Sequence, residues 1–324
     1  MTTIYRDSDA DPGALDGADI AVVGYGNQGR SWALNLRDSG LAVRVHARAD
    51  DSRSLATADG FDVGDVAAAG DADVLCLIVP DDAIPVLPLA PRPDALVVVA
   101  SGYSLAFGGF DPGCDLGMVA PRMLGPEVRS CYEQRVGFIT AVGVDADRTG
   151  TALARTLAVA RALGGLRQGA IELTPHQEAV LDLAVEQALS PALRRVNTSF
   201  VQVMAEQGIP VEAILTELFL SGEIERTYRL LRLEGYAAQM AHHSPVSQYG
   251  QLSRADRFDH LDVPTTMRSI VDDIANGAFA AEWDGEREAD HPTLERLRAE
   301  ALPPELVAWE RDLRSTLGEA AVDR

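Results

Sequence analysis

Blocks of apolar residues alternate with helical patterns along the first half of the chain. Apolar positions repeat with helical spacing at 27–39, where Gly40 ends the pattern, and at 149–163. Continuous apolar runs predict five buried strands, at 19–23, 41–46, 74–79, 95–100 and 136–142. Because strands with two apolar faces alternate with helices, the pattern predicts an α/β fold with a parallel sheet covered on both sides.

The pattern changes at Thr174, after which the strand signals stop. Six stretches then have the apolar spacing of helices, at 178–189, 193–206, 211–220, 223–233, 264–276 and 294–299. A chain of 324 residues has the length of about two domains. The sequence therefore predicts an α/β domain over residues 1–173 and an all-α domain over residues 174–324.

Charge and composition narrow the classes of function. The formal net charge is −21, so the surface repels phosphate backbones and anionic membranes, and we expect neither nucleic acid nor a membrane as a partner. All 28 basic residues are arginine. The absence of lysine excludes Schiff-base enzymes, pyridoxal-phosphate enzymes with an internal aldimine, and P-loop NTPases, because each needs a lysine amine.

Cysteine usage and the N-terminal residues bear on the compartment. Cys76, Cys114 and Cys131 match no zinc or redox spacing, and an odd number argues against a disulfide framework. Residues 1–12 are polar and acidic, which argues against a signal peptide, and no apolar run reaches the length of a membrane span. We therefore expect a cytoplasmic protein.

A G-x-G-x-x-G motif follows the first predicted strand and opens the first predicted helix. Its residues are Gly24, Tyr25, Gly26, Asn27, Gln28 and Gly29. In this context the first glycine permits a tight turn, the second lets the backbone approach a pyrophosphate, and the third lets the helix pack on the strand. The helix N-terminus adds amide donors and a positive dipole. The motif therefore predicts a dinucleotide site rather than a plain glycine turn.

The choice between NADH and NADPH is set at the end of the second strand, where an NAD-specific fold places an acidic residue. No carboxylate stands there. Four residues of the following loop are candidates to hold a 2′-phosphate: Arg48, Ser52, Arg53 and Ser54. Asp50 and Asp51 would repel a phosphate, and a solvated polar loop is the alternative interpretation. Because the arginines can fold onto a phosphate while the aspartates turn to water, we favour NADP and keep NAD as the alternative.

Two carboxylates of the helical half are candidate metal ligands. Asp182 and Glu186 stand four residues apart on one helix face, with Glu178 one turn earlier. Their neighbours are nearly all apolar, and no arginine occurs between Arg167 and Arg194. Close carboxylates in such surroundings favour a divalent metal or a shared proton. The alternative is a salt bridge to an arginine that is distant in the sequence.

Several stretches, taken together with the glycine motif, resemble ketol-acid reductoisomerase, also called acetohydroxy acid isomeroreductase, in its short form with one helical domain. They run in order over almost the whole chain. The stretches are 9–11 (DAD), 24–29 (GYGNQG), 33–40 (ALNLRDSG), 79–81 (VPD), 118–121 (MVAP), 182–187 (DLAVEQ), Ser244 with 248–250 (QYG), and 274–283 (IANGAFAAEW). The glycine motif is generic, but the combination is specific.

The resemblance implies a Rossmann domain that binds NADPH and a knotted all-α domain that interlocks with a second copy in an obligate homodimer. It also implies two Mg²⁺ ions, an alkyl shift in a 2-hydroxy-2-methyl-3-keto acid, and hydride transfer to the new ketone. Asp182 and Glu186 match the first pair of metal carboxylates, and Glu223 matches one carboxylate of the partner's pair. Ser244 matches a serine that contacts the substrate.

The same resemblance places Pro80 and Gly102 at the cofactor, but it also shows departures. Ser101 and Arg122 stand where the family has histidine and lysine, and 123–125 (MLG) replaces a glycine–proline–glycine turn. These changes cluster in the expected site while the scaffold is kept. Since substitutions in a protein that had lost its function would be spread more evenly along the chain, the clustering indicates a changed substrate.

One further departure concerns the metal. Four residues before Glu223, Phe219 stands where the resemblance places the partner's other glutamate. Glu217 or Glu225 would compensate if the helix shifts register. With up to three of four acidic ligands left, one Mg²⁺ ion fits the charge better than two. The metal residues predicted here are Asp182, Glu186 and Glu223.

We therefore predict an NAD(P)H-dependent reductase of this family that acts on a non-standard 2-keto acid or an imine, with little alkyl migration. The alternatives are an authentic Mg²⁺-dependent ketol-acid reductoisomerase of branched-chain amino-acid synthesis and a non-catalytic cofactor-binding dimer. Arginine holds its proton too tightly to serve readily as an acid or base, although it still binds carboxylates. The predicted catalytic residues are Ser101, Arg122, Asp182, Glu186, Glu223 and Ser244.

Overall fold

The computed structural model describes residues 2–301 together with 308, 311–313 and 315–316. The chain forms two compact units, Met1–Asp182 and Leu183–Arg324. The last strand of the described residues ends at Glu172, and the boundary between the units falls in the helix that follows. The first unit contains the sheet, and the described part of the second unit is helical.

The first unit is built around a sheet that has nine strands within the described residues. The strands are Ile4–Tyr5 (β1), Asp19–Val23 (β2), Ala42–His46 (β3), Val63–Gly64 (β4), Val74–Leu77 (β5), Leu96–Val99 (β6), Asp115–Pro121 (β7), Thr140–Ala146 (β8) and Ala170–Glu172 (β9). Their order is β1-β9-β8-β7-β6-β5-β2-β3-β4. Because β2 lies between β3 and β5, the order of the strands reverses there, and α/β sheets bind ligands at the carboxyl edge of such a switch point.

The prediction of a fully parallel sheet is wrong at two pairs of strands. β8 runs antiparallel to β7, and β1 runs antiparallel to β9. A parallel neighbour needs a crossover that returns the chain to the amino edge of the sheet. After β7 the chain does not return there, since Thr140 at the start of β8 pairs with Pro121 at the end of β7. The run predicted as a strand at 136–142 therefore starts later, after left-handed backbone at Arg135 and Gly137.

Helices cover both faces of this sheet, as the sequence predicts. Alternate residues of β2 enter two separate cores: Ile20 and Val22 belong to one, and Ala21 and Val23 belong to the other. Trp32 of the first helix is fully buried in the first core. The helices of this unit are Asn27–Asp38 (α1), Asp51–Ala58 (α2), Tyr103–Ala106 (α3), Gly125–Glu133 (α4), Ala152–Leu163 (α5) and Pro175–Ala184 (α6), which reaches the unit boundary.

Of the six helices that the sequence predicts after Thr174, five lie in the second unit, and the first, at 178–189, comprises the end of α6 and the π-helical turn that follows it. The second unit also contains helices that the sequence does not predict. The α-helices are Ser190–Glu206 (α7), Val211–Leu215 (α8), Glu223–Glu234 (α9), Tyr236–Ala241 (α10), Pro245–Leu252 (α11), Val263–Ala275 (α12), Ala278–Glu288 (α13) and Pro292–Ala301 (α14). Two π-helical turns, Val185–Leu189 and Thr216–Leu220, interrupt the α-helical geometry. Such turns are rare and occur frequently at functional sites. Among the described residues, no helix is long and apolar enough to span a membrane.

Candidate active site

A cavity of about 480 Å³ opens at the carboxyl ends of β2, β3 and β5. This volume lies in the roughly 300–1,000 Å³ range of small-molecule sites. The cavity is lined by Gly24, Tyr25, Gly26, His46, Ala47, Arg48, Asp50, Ser52, Val66, Ile78, Val79, Pro80, Asp82, Ala83 and Leu87. It therefore sits at the switch point of the sheet and includes half of the residues predicted to bind the cofactor. We refer to it as the cofactor cavity.

The glycine motif has the backbone geometry that a dinucleotide loop needs. Gly24 has a φ of +97°, and a Cβ there would lie 2.3 Å from the carbonyl oxygen of Ile78. A Cβ on Gly29 would lie 2.2 Å from the carbonyl oxygen of Gly24. A Cβ on Gly26, in contrast, would meet no atom within 4 Å, although Gly26 lines the cofactor cavity. The first and third glycines are thus required by the fold, and the second borders the space for a ligand.

Two buried polar atoms next to this loop have no hydrogen-bond partner among the described residues. One is Nε2 of His46, whose Nδ1 is 2.8 Å from the carbonyl oxygen of Asp65. The other is Oε1 of Gln28, whose Nε2 donates to the carbonyl oxygen of Met123. Buried polar atoms normally have a partner, so these atoms fit a site that a polar ligand completes. The residues present therefore fit a dinucleotide.

Tyr25 is held by contacts that serve the fold of the loop. Its hydroxyl donates to Oδ2 of Asp59 over 2.8 Å, and Arg30 pairs with the same carboxylate at 2.7 Å. Burial raises the pKa of Tyr25 above its ordinary value, and the hydrogen bond to Asp59 raises it further. Tyr25 therefore stays a neutral donor, and it fixes the start of α1 against the end of α2.

The loop after β3 places one positively charged and one negatively charged side chain at the cofactor cavity. Arg48 lines the cavity with its side chain 88% exposed, and its Nε lies 3.6 Å from Oδ2 of Asp50. Asp50 also lines the cavity and caps α2, because Oδ1 accepts hydrogen bonds from the backbone amide and the hydroxyl of Ser52. These bonds, with the charges of Arg48 and Arg53, lower the pKa of Asp50. Asp50 thus borders the cavity with a side chain that is 45% exposed to solvent.

Arg53 and Ser54, which the sequence groups with Arg48, do not line the cofactor cavity. Nη2 of Arg53 donates to the carbonyl oxygens of Ala47 and Gly64 and pairs with Asp65 at 2.5 Å. These bonds tie the end of β3 to β4, and they correct the expectation that Arg53 folds onto a phosphate. Ser54 is exposed on α2. Of the two arginines, only Arg48 borders the cavity.

A second group of polar residues gathers where β5, β6 and β7 end. Arg122, directly after β7, forms an ion pair with Glu178 of α6 and donates to Oδ1 of Asp182 at 3.4 Å. Glu178 is 1% exposed, whereas Asp182 is 52% exposed. The arginine distant in the sequence is therefore present, and the salt bridge, which the sequence left as an alternative to a metal, is formed. We call these three residues the arginine–carboxylate cluster.

Glu178 also fixes the loop after β6. Its Oε2 accepts the backbone N–H of Gly102 at 2.6 Å, and a Cβ on Gly102 would lie 2.1 Å from the carbonyl oxygen of Pro175. Burial raises the pKa of Glu178, although the Gly102 amide and the charge of Arg122 oppose the rise. Gly102 thus contacts the start of α6 instead of lining the cofactor cavity, where the resemblance placed it.

Asp81, four residues after the end of β5, lies beside this group. Burial raises its pKa to about 6, against hydrogen bonds from the Ser104 backbone and the Ser101 side chain, and with repulsion from Asp182 and Asp82. Ser101 also accepts a hydrogen bond from the backbone amide of Tyr103 at 3.1 Å. The predicted residues Ser101 and Arg122 therefore occupy one polar region, together with the carboxyl group of Asp81, whose pKa is raised by burial.

The remaining predicted residues lie in the second unit. Glu186 is exposed in the π-helical turn Val185–Leu189, and Glu223 is the first residue of α9. Ser244 caps α11, where its hydroxyl oxygen accepts the amide of Ser247 at 3.3 Å. Among the described residues of this chain, no group of three or more histidines, cysteines or acidic residues is arranged to hold a metal.

Phe219 and Glu223 belong to different helical segments. Phe219 lies in the π-helical turn Thr216–Leu220, and Gly222, with a φ of +75°, separates it from Glu223. Four residues therefore do not make one α-helical turn here. Phe219 is 57% exposed. Its side chain supplies no oxygen ligand at this position.

Sequence reasoning missed three residues that the fold brings to the site. Asp81 was noted only as part of a shared motif, Glu178 only as a neighbouring carboxylate, and Asp50 only as a source of repulsion. The usable signal was position, because Asp50 and Asp81 each follow, by four residues, a strand that ends at the carboxyl edge of the sheet. No comparable signal marked Glu178, which stands 56 residues from its partner Arg122.

Comparison with known proteins covers nearly the whole chain. The family model described as acetohydroxy acid isomeroreductase, NADPH-binding domain, matches residues 14–169. The model described as ketol-acid reductoisomerase, C-terminal domain, matches residues 176–319. A ketol-acid reductoisomerase (NADP(+)) from Caldivirga maquilingensis is 37% identical and covers 97% of this chain and 98% of its own.

Solved structures agree with this match. The structure of an NADH-preferring ketol-acid reductoisomerase from an uncultured archean superposes with a TM-score of 0.89 at 26% identity, and covers 97% of this chain and 98% of its own. A 1-pyrroline-5-carboxylate reductase from Streptococcus pyogenes, at 12% identity and a TM-score of 0.53 over 80% of this chain and 98% of its own, shares the fold alone. The resemblance seen in the sequence is confirmed. The chain therefore belongs to the ketol-acid reductoisomerase family of NAD(P)H-dependent oxidoreductases.

Proposed function

We propose that this chain reduces a non-standard 2-keto acid or an imine and catalyses little or no alkyl migration. The observation that carries this proposal is the arginine–carboxylate cluster: Arg122 replaces the family's lysine and is bound to Glu178 and Asp182. A guanidinium holds its proton too tightly to act readily as an acid or base. It still binds carboxylate groups, which favours a substrate that carries one.

NADPH is the proposed cofactor, with NADH as the alternative. The loop that follows β2 offers backbone amides and the N-terminus of α1 to the diphosphate. Arg48 and Ser52 border the space expected for the adenosine end, whereas Asp50 opposes a phosphate there. When bound, the nicotinamide supplies the hydride and Mg²⁺ polarises a substrate oxygen.

One Mg²⁺ ion fits the residues better than two. Carboxylate oxygens are the ligands that Mg²⁺ prefers, and Asp182 keeps a half-exposed side chain four residues before Glu186. Arg122 competes for Asp182 because its Nη2 lies 3.4 Å from Oδ1. Glu223 of a second copy would add a third carboxylate. Phe219 contributes none, which limits the negative charge available to balance the metal.

A second copy of this chain is the proposed partner. The continuous helical segment 185–206 carries an apolar stripe, and each of its members is 41–62% exposed in the single chain. The stripe consists of Val185, Leu189, Leu193, Val196, Phe200 and Val203. Its spacing of four, four, three, four and three residues places all members on one helix face. An exposed apolar face of this length supports an obligate homodimer with interlocked, knotted helical domains.

An authentic Mg²⁺-dependent ketol-acid reductoisomerase is the second candidate. It is favoured by the 37% identity with the Caldivirga maquilingensis enzyme over 97% of this chain. The two candidates differ in one step, since the authentic enzyme rearranges acetolactate before it reduces the product.

The two steps can be measured separately. We expect NADPH oxidation with simple 2-keto acids or cyclic imines, and no enzyme-dependent rearrangement of acetolactate when NMR follows it with Mg²⁺ but without cofactor. Rearrangement at an enzyme-dependent rate would refute the proposal and establish the second candidate. Tight NADPH binding without turnover of any carbonyl or imine would refute both.

Cofactor preference has its own matched pair of variants. We expect Arg48→Ala to weaken NADPH more than NADH, because it removes the charge that borders the cavity. We expect Arg53→Ala to weaken both cofactors equally, because its bonds hold the loop itself. Fluorescence titration with each cofactor measures both effects. Equal losses for Arg48→Ala would remove the 2′-phosphate role.

A further inference from the structure

A second cavity lies at the opposite edge of the first unit's sheet. It measures about 420 Å³ and is lined by residues that include Asp7, Asp11, Leu41, Arg161 and Arg167. Leu41 directly precedes β3, so this cavity borders the amino edge of the sheet, whereas the cofactor cavity lies at the carboxyl edge. The two cavities share no lining residue. We call this one the amino-edge cavity.

Opposite charges line the amino-edge cavity without pairing. Within the described residues, neither Arg161 nor Arg167 forms an ion pair with a carboxylate, although Asp7 and Asp11 line the same space. Arg167 instead lies over the ring of Tyr132, at 5.8 Å. Carboxylates and guanidinium groups thus line one cavity of about 420 Å³, which is large enough for a small charged molecule.

The acidic side of the cavity contains an incomplete hydrogen-bond network. Oδ1 of Asp7 is buried and has no partner within the described part of the chain. Oδ1 of Asp11 accepts the amide of Gly13 at 2.9 Å. Buried carboxylate oxygens are strong acceptors and are costly to leave unpaired. A cationic N–H donor would complete this side, and the C-terminal end of α1, which reaches the cavity at Ser39, also favours a positive charge.

The rest of the lining is aliphatic. Leu15 and Ala158 are 4% and 8% exposed, and Leu41 and Ala162 lie beside them. The cavity lining thus combines carboxylates, guanidinium groups and an apolar surface. A free α-amino acid carries the matching groups: an ammonium, a carboxylate and a side chain, on one carbon atom.

We propose that the amino-edge cavity binds a zwitterionic α-amino acid with a small aliphatic side chain. Its ammonium lies against Asp7 and Asp11, its carboxylate lies against Arg161 and Arg167, and its side chain packs on Leu15 and its aliphatic neighbours. The site is independent of the reaction at the carboxyl edge, and binding needs neither cofactor nor substrate. Asp11 of the motif at 9–11 lines this site, whereas Asp9 accepts the backbone N–H of Arg6.

Calorimetric titration of the full-length protein with L-valine tests the proposal. We expect saturable binding of one molecule per chain, and we expect no binding of 3-methylbutanoate, which lacks the ammonium, or of 2-methylpropylamine, which lacks the carboxylate. Asp7→Asn and Arg161→Gln should each weaken L-valine at least ~10-fold, the equivalent of about 1.4 kcal/mol. Asp94→Asn and Arg298→Gln, which remove the same charges at exposed positions, should leave the affinity unchanged.

Three results would overturn the proposal. They are no heat of binding up to about 10 mM L-valine, equal binding of 3-methylbutanoate, which would indicate a plain anion site, and L-valine binding that both cavity variants retain. The melting temperature of each variant, measured alone and with L-valine, separates loss of the site from loss of the fold, because a ligand that binds only the folded state raises it.

Discussion

The carboxylate of Glu178 is almost fully buried, and the guanidinium of Arg122, 56 residues earlier in the chain, is its ionic partner. The pair joins the end of β7 to α6, and the same carboxylate holds the amide of Gly102 after β6. One side chain thus positions two loops at the carboxyl edge of the sheet. The relationship sets the charge of the site and leads to the first prediction.

Removing Arg122 should cost more stability than neutralising Glu178. Arg122→Ala leaves a buried carboxylate with the Gly102 amide but without its ionic partner, and we expect a loss of about 3 kcal/mol in the free energy of unfolding. Glu178→Gln keeps an acceptor for that amide and should cost about 1–2 kcal/mol. Urea unfolding measures both. The control Arg92→Ala, which breaks an exposed pair with Asp73, should cost under about 1 kcal/mol. If Arg122→Ala lost no more stability than Arg92→Ala, the prediction would be contradicted.

The glycine loop separates effects on folding from effects on cofactor binding. Gly24→Ala should lower the free energy of unfolding by about 1–3 kcal/mol, because its φ is +97° and the new Cβ would meet Ile78. Gly26→Ala should leave stability unchanged, since no atom lies within 4 Å of its Cβ, and should weaken NADPH at least ~10-fold. Thermal unfolding and NADPH fluorescence titration distinguish the two. Normal NADPH affinity in Gly26→Ala would place the diphosphate elsewhere.

Asp81 should make stability depend on pH. Its pKa is about 6 in the folded chain and near 3.8 when it is unperturbed, so the folded state holds more protons between these values. This contribution to stability is present at low pH and is lost as pH rises from about 4 to about 6. Asp81→Asn should therefore be more stable than the parent above pH 6, by a difference on the order of 2 kcal/mol, and equal to it below pH 4.

Urea unfolding over a pH series checks this expectation for Asp81. The exposed control Asp94→Asn should show no such gain at high pH. A gain in Asp81→Asn that is the same at pH 4 and pH 8 would mean that hydrogen bonding or packing, and not titration, causes the effect.

The apolar stripe of the segment 185–206 should control assembly. Leu193→Glu and Val196→Glu place a charge on a face that the proposed dimer buries, and we expect the dimer to dissociate or the helical unit to lose its fold. Sedimentation velocity and circular dichroism report the two outcomes. Leu153→Glu, which adds the same charge at a 37% exposed position of α5, should leave the sedimentation coefficient unchanged. A parent protein that sediments as a folded monomer would refute the dimer.

The sequence predicted the structure correctly where the conformation depends only on residues within one strand, turn or helix. The alternation that buries Ile20 and Val22 in one core and Ala21 and Val23 in another is a period of two, and it is visible in the letters. The glycine motif predicted the turn at Gly24 because few other residues adopt its backbone conformation. The six helices predicted after Thr174 were found for the same reason, since their apolar spacing is local.

Tertiary structure decided which of these residues meet. The sequence offered Arg48 and Arg53 as equivalent, but β4 lies beside β3 and takes Arg53 away from the cofactor cavity. The sequence left two possible partners for the carboxylate of Asp182, a metal ion or a distant arginine. The ends of β7 and α6 lie together, which brings Arg122 to Asp182. The spacing of residues along the chain does not predict contacts between side chains from different strands. The charge of the site therefore depends on how the strands pack in the sheet and not on the order of the residues.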